Sequence, residues 1–183
     1  EQYEVYRAAA KALDSRPLVI RTLDAGGDKP LPYLNMEPEA NPFLGWRAIR
    51  LCLARPDLFK PQLRAIIRVA AKFPVKVMFP MVATLSEWRA ARALLQEAIV
   101  EVRKDGHAAP DKIETGIMVE IPAAAIKAGQ FAEEVDFFSI GTNDLTQYTM
   151  AAERGNPRVA SLSDPFHPAV LELIPRVVNA SHA

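Results

Sequence analysis

The stretch Phe137-Phe138-Ser139-Ile140-Gly141-Thr142-Asn143-Asp144-Leu145-Thr146-Gln147-Tyr148 decides how this chain reads. Residues 135–140 are mostly apolar and aromatic, the composition of a strand covered on both faces. Gly141 permits a sharp turn and a close approach by another group. Thr142, Asn143 and Asp144 then offer a cap, an amide and a carboxylate where a helix should begin. A carboxylate at the exit of a parallel strand stands where α/β proteins keep their chemistry. The same pattern lies 24 positions upstream, where Ile117-Met118-Val119 runs into Glu120 and then Ile121-Pro122.

Outward from these two strands, helix and strand alternate. Residues 3–14 carry Tyr3, Tyr6 and Ala10 on one helical face. Residues 18–23 form an apolar strand, and a long loop over 25–42 follows; loops of that length are often functional. Helices are expected over 44–54 and 56–71, then a strand over 75–79 stopped by Pro80. A long amphipathic helix over 86–104 aligns Trp88, Ala91, Leu95, Ile99 and Val102. A strand over 114–119, a helix over 122–131, the strand over 135–140 and a last helix over 168–180 complete the chain. Four strands separated by helices imply parallel pairing through right-handed crossovers. No glycine-rich phosphate loop follows the first strand, which argues against a nucleotide-binding doubly wound sheet. Strands ending in functional groups point to a TIM (β/α)8 barrel, which needs about 250 residues and eight strands. The expectation is therefore an α/β fold, a partial barrel of about four strands filling 1–183 with no second domain.

Composition narrows the function. Half of the 183 residues are hydrophobic, enough for a sizeable core. Lys plus Arg and Asp plus Glu both number 22, so bulk charge gives no case for nucleic acid or an anionic membrane. No apolar run approaches the roughly 18 residues of a membrane span. A single cysteine excludes an internal disulfide framework and suits a cytoplasmic setting. The chain opens on Glu1 without an initiator Met, so a fragment of a longer chain is expected. A half barrel would also leave two sheet edges and one apolar face uncovered, from which self-association is expected.

Three kinds of group gather at the expected strand exits. Glu120 and Asp144 are carboxylates on consecutive strands, a pair that suits Mg²⁺, which takes few protein ligands. Either one taken singly reads more simply as a helix cap or the partner of a nearby cation; two at equivalent strand exits point to metal. Arg21 lies near the end of an apolar strand, where a charge is costly unless it is paired or faces a site. Lys29 sits in a glycine-rich loop, Arg47 follows Gly45-Trp46, and Arg154 lies in Glu153-Arg154-Gly155-Asn156. Arginine forks suit phosphate and carboxylate, although a surface ion pair would explain Arg47 or Arg154 as well. Backbone and amide donors around Gly141-Thr142-Asn143 would attract an anion. Together these groups describe a site for a small, highly charged anion bridged by a divalent metal. Cys52, between Leu51 and Leu53, reads as a core thiol; His107 and His182 read as solvated, and His167 as a loop-packing residue. Met78, Phe79 and Met81 read as packing.

The motifs Ile20-Arg21-Thr22-Leu23-Asp24-Ala25-Gly26-Gly27-Asp28-Lys29, Asn41-Pro42-Phe43-Leu44-Gly45-Trp46-Arg47 and Gly116-Ile117-Met118-Val119-Glu120-Ile121-Pro122 occur in order with the opening stretch. In this, essentially the whole chain resembles the phosphoenolpyruvate-binding barrel of the enzyme I family of the bacterial sugar phosphotransferase system. The wider family includes pyruvate phosphate dikinase and phosphoenolpyruvate synthase. The Gly-Gly-Asp-Lys loop and the Glu-Arg-Gly-Asn segment look more like enzyme I. The resemblance implies a transferase. Glu120 and Asp144 match Mg²⁺ ligands. Arg21, Arg47 and Arg154 match arginines around the substrate phosphate, Lys29 a lysine of that site, and Asn143 a substrate contact. Among these, Arg21, Lys29 and Arg47 are the implied catalytic residues. The resemblance further implies transfer of the phosphoryl group to a histidine on a separate amino-terminal domain and then to a histidine-containing phosphocarrier protein, for sugar uptake, by a cytoplasmic homodimer. The alternatives are a dikinase or synthase barrel, and a regulatory, nitrogen-type or multidomain phosphotransfer protein. His107, His167 and His182 do not match the phosphoacceptor histidine, and Cys52 does not match the family's proton-donating cysteine. A chain lacking those flanks is expected to be catalytically silent alone.

Overall fold

A computed structural model describes residues 1–26 and 37–183. Its centre is a four-stranded sheet of β1 (Leu18–Arg21), β2 (Val75–Phe79), β3 (Glu114–Val119) and β4 (Phe137–Ile140), all parallel and paired in sequence order. Eight α-helices of the described residues connect and cover it: α1 (Gln2–Ala12), α2 (Ile49–Ala54), α3 (Pro56–Ala70), α4 (Leu85–Lys104), α5 (Pro122–Ile126), α6 (Ala128–Ala132), α7 (Thr142–Met150) and α8 (Pro168–His182). Parallel neighbours joined in sequence order through crossovers of one hand place the helices on one side of the sheet. A doubly wound sheet would instead reverse its strand order. The architecture is a partial (β/α) barrel.

Alternation along the strands separates the two faces. Ile20, Val75, Val77, Phe79, Ile117 and Val119 are buried in the core beneath the helices. Here Phe79 lies between Phe59 of α3 and Trp88 of α4, with edge-on ring contacts of 6.2 and 5.8 Å. The opposite face carries Val19, Lys76, Met118 and Phe137, which are exposed or half-buried. β4 therefore differs from the expected strand covered on both faces. It is an edge strand, and all four of its residues are only partly buried.

Two other elements depart from the sequence reading. The expected helix over 44–54 is a single 3₁₀ turn, Pro42–Leu44, followed by α2. Between them Ala48 takes φ 49° and ψ −121° and donates its N–H to Ala25 O at 2.8 Å. A tertiary backbone contact thus replaces a helical one. The expected helix over 122–131 is broken into α5 and α6 at Lys127, whose φ −99° and ψ 16° leave the helical basin. By contrast, α4 begins with a reciprocal cap. Thr84 Oγ1 accepts from Glu87 N–H at 3.2 Å, and Glu87 Oε2 accepts from Thr84 N–H at 2.9 Å.

Candidate functional site

The exits of β1, β3 and β4 converge on a buried charge cluster. Its hub is Arg47, in the segment leading into α2, with no exposed surface. Arg47 Nη2 donates to both oxygens of Asp24, at 2.9 and 3.1 Å, and Nε donates to Oδ1 at 3.3 Å. Its Nη1 donates to Tyr148 Oη at 3.3 Å and lies 3.6 Å from Asp144 Oδ1. Burial alone would lower the pKa of this guanidinium. The hydrogen bonds and charge of Asp24, then the charges of Tyr148 and Asp144, outweigh it, and the net shift is upward.

Backbone packing fixes this arrangement. Gly26 sits at φ 99°, and a Cβ there would lie 2.4 Å from Trp46 O and 2.8 Å from Arg47 Cα. Only glycine lets the loop after β1 and the segment bearing Arg47 meet so closely. Tyr148, one α7 turn beyond Asp144, donates its hydroxyl to Phe43 O and so ties α7 to the 3₁₀ turn. Burial raises the Tyr148 pKa, against the pull of Arg47.

Glu120, just past β3, and Asp144, in the first turn of α7, are both buried. Burial pushes the Glu120 carboxyl up to about 7; the Met81 N–H opposes this, while the charges of Asp144 and Asp24 add to it. Oδ1 of Asp144 is buried and has no hydrogen-bond partner among the described residues. Arg47 Nη1 at 3.6 Å gives it a charge partner but no hydrogen bond, which leaves its lone pairs open to a further ligand. Among the described residues no group of three His, Cys, Asp or Glu side chains could hold a metal ion. The acidic pair fits a hard cation that draws its remaining oxygens from substrate and water.

The other expected site residues lie in different surroundings. Arg21 is not a buried charge: its side chain is 41% exposed, and Nη1 is 3.7 Å from Asp24 Oδ2. Strand alternation sends Ile20 into the core and Arg21 to the open face at the sheet end. The argument from a costly buried cation applies to Arg47 instead. Asn143 and Arg154 are exposed, and the Arg154 N–H is held by Gln147 Oε1 at 3.2 Å. Lys29 lies outside the described residues. Cys52 is buried, its thiol pushed up to about 12 by burial and then by the charge of Asp24. That suits the core role read for it. His167 accepts the Ala169 N–H at its Nδ1 and caps α8, and His107 and His182 are exposed.

Asp24 and Tyr148 are members of the buried cluster that sequence reasoning passed over. Asp24 satisfied the criterion applied to Glu120 and Asp144, a carboxylate just beyond a strand. Tyr148 left no such signal, because its partners lie about a hundred positions away.

Compared with known proteins, the chain matches over residues 1–183 the sequence model of a family described as PEP-utilising enzyme, PEP-binding domain. It is 55% identical over 183 residues to a protein of Staphylococcus carnosus (strain TM300). It is also 56% and 54% identical over 182 residues to proteins of Geobacillus stearothermophilus and Listeria monocytogenes. All three are named phosphoenolpyruvate-protein phosphotransferase. Each alignment takes in 100% of this chain but 32% of the relative, so the chain spans about a third of the length of the curated relatives it matches. Among solved structures, a citrate lyase from Burkholderia xenovorans LB400 superposes with a TM-score of 0.50 at 21% identity, covering 68% of this chain and 37% of that one. At that identity the likeness speaks to the fold alone.

Proposed function

The chain belongs to the PEP-utilising enzyme family, as its PEP-binding domain, and on that premise we propose that it binds phosphoenolpyruvate with Mg²⁺ as part of a phosphoenolpyruvate-protein phosphotransferase. The observation that carries this reading is the pair of buried carboxylates at adjacent strand exits, with Asp144 Oδ1 left without a hydrogen bond. Electrostatics support it. The charges of Asp144 and Asp24 add to burial in raising the Glu120 carboxyl, a repulsion that a divalent cation between Glu120 and Asp144 would offset. When bound, Mg²⁺ would neutralise charge on the phosphoryl group as it leaves.

The chain's own groups divide the remaining work. Glu120 and Asp144 hold the cation. Arg21 and Arg154, both exposed, offer guanidinium forks to phosphate oxygens, and Lys29 adds a third positive charge. Asn143 and the N–H groups at the start of α7 face the anion with partial positive charge. Arg47 acts as a fixed charge beside Asp144, and its Nη1, bound only at 3.3 and 3.6 Å, exchanges partners to reach the substrate. The phosphoryl group then passes to a histidine on another domain and on to a phosphocarrier protein, for sugar uptake. Pairing of two copies and a cytoplasmic setting belong to the same reading; no helix among the described residues is long and apolar enough to cross a membrane.

Calorimetry of phosphoenolpyruvate binding tests the proposal. Binding should require Mg²⁺ and vanish in Asp144→Asn. Equal binding with and without Mg²⁺ would remove the metal from the account.

A further inference from the structure

Beyond β2 the chain turns at Pro80 into Met81, which takes φ 58° and is buried. Residues other than glycine, asparagine and aspartate seldom occupy this left-handed region. When one does, the surrounding structure over-determines the conformation, and such residues cluster at functional sites. The Met81 N–H donates to Glu120 Oε1 at 2.6 Å, between buried groups. On the other side of β3, a Cβ on Gly141 would come within 3.0 Å of Glu120 Oε2 and of Met118 Cγ and Sδ. The carboxylate is thus bracketed by backbone from both neighbouring strands. β2 supplies a donor to one oxygen, and β4 supplies a surface bare of side chain beside the other.

We propose that Met81 is a positioning residue for the metal site: its left-handed peptide fixes Oε1 of Glu120 and so presents Oε2 to the cation. This rests on the reading of Glu120 as a metal ligand. The role belongs to the Met81 backbone, and the side chain is incidental to it. That division makes an unusual prediction about substitutions. Glycine adopts a positive φ freely and keeps the N–H, so Met81→Gly should preserve the carboxylate. A β-branched residue is the poorest fit at positive φ, so Met81→Val should rotate the peptide away. A packing role predicts the reverse order, since valine keeps apolar volume and glycine leaves a cavity.

The test uses the whole protein in two measurements. Mn²⁺ affinity, read by electron paramagnetic resonance, should fall about tenfold or more in Met81→Val, as for other partners that orient a metal ligand. It should stay close to wild type in Met81→Gly. Separately, in metal-free protein labelled with ¹⁵N-methionine, the Met81 amide resonance is identified by its loss in Met81→Leu. It should lie far downfield and move upfield in Glu120→Gln. An unmoved amide overturns the proposal, as does Mn²⁺ binding that survives valine but not glycine, or that is unchanged by valine. If either Met81 variant fails to fold, the amide shift decides alone. If the wild type binds no Mn²⁺, the metal reading fails, while the amide still reports whether Met81 holds the carboxylate.

Discussion

Two charge clusters in this protein are built from similar residues and work under different physics. On the outer surface, Lys60 and Arg64 of α3 meet Glu97 and Glu101 of α4 and Asp105 at its C-terminal cap, with Lys60 Nζ at 3.0 Å from Glu97 and 2.7 Å from Glu101. At the sheet exit, Arg47 meets Asp24 and Asp144 with almost no exposed side-chain surface. Water screens the first cluster, so each contact there adds little. The second lies at low dielectric, where a partner's removal leaves a charge with no solvent to receive it. The surface cluster sets two cations against three carboxylates and leaves the difference to solvent, whereas the buried one has no solvent to take up a mismatch.

The largest break in that contrast comes from Asp24→Ala. It strands a fully buried guanidinium, and urea denaturation should show a loss of about 3–5 kcal/mol. The double change Asp24→Leu with Arg47→Met should recover much of that loss, because it removes both charges together. A double mutant as unstable as the single would deny the pair its central place.

The next effect is pH dependence. Glu120 has its folded pKa raised from 4.5 to about 7. Its stabilising contribution is therefore fully present below about 4.5 and is lost as pH rises through about 7. In chelator-treated protein this group should remove up to about 3 kcal/mol of stability across that window. Glu120→Gln should flatten the slope. A wild-type profile as flat as the variant's would mean that the carboxyl titrates normally.

Divalent cation should then restore what high pH removes. Mg²⁺ at about a hundredfold excess over its Kd should stabilise the wild type by about 2.7 kcal/mol, read as a thermal shift at pH 8. Asp144→Asn should abolish the shift. At the other extreme, Glu101→Gln on the α3–α4 surface should move the melting temperature by less than about 2 °C. A large drop there would show that the exposed lattice is more than a solvated face.

Legibility in the sequence followed the range of the forces involved. β2 and β3 occupy the expected residues, since local alternation and Pro80 define them. The stripe Trp88, Ala91, Leu95, Ile99 and Val102 is buried as its spacing indicates. β1 stops at Arg21, short of the expected Leu23, whose N–H goes instead to Gln62 Oε1 at 2.9 Å. β4 starts at Phe137, two positions late; Asp136 before it still donates its N–H to Thr115 O at 2.8 Å, while its carboxylate accepts from Thr115 N–H at 2.8 Å and from Lys112. The acidic pair Glu120 and Asp144 was visible as two strands each ending in a carboxylate. That Arg47 and not Arg21 is the buried charge was not. It depends on which face of an edge strand points outward, and on a bond from Arg47 to Asp24, 23 positions away.

The sequence-ordered sheet also bears on how the chain folds. Leu18 pairs with Val75, Lys76 with Glu114 and Gly116 with Phe137, so the chain between partners shortens from 57 to 38 to 21 positions. Loop-closure entropy grows with the logarithm of that length, which makes the last pairing easier than the first by about 0.9 kcal/mol. No strand must wait for a distant partner, and the search is shortest between β3 and β4. The two strands that deliver Glu120 and Asp144 are therefore expected to be the first to find each other, with the Arg47–Asp24 lock closing behind them.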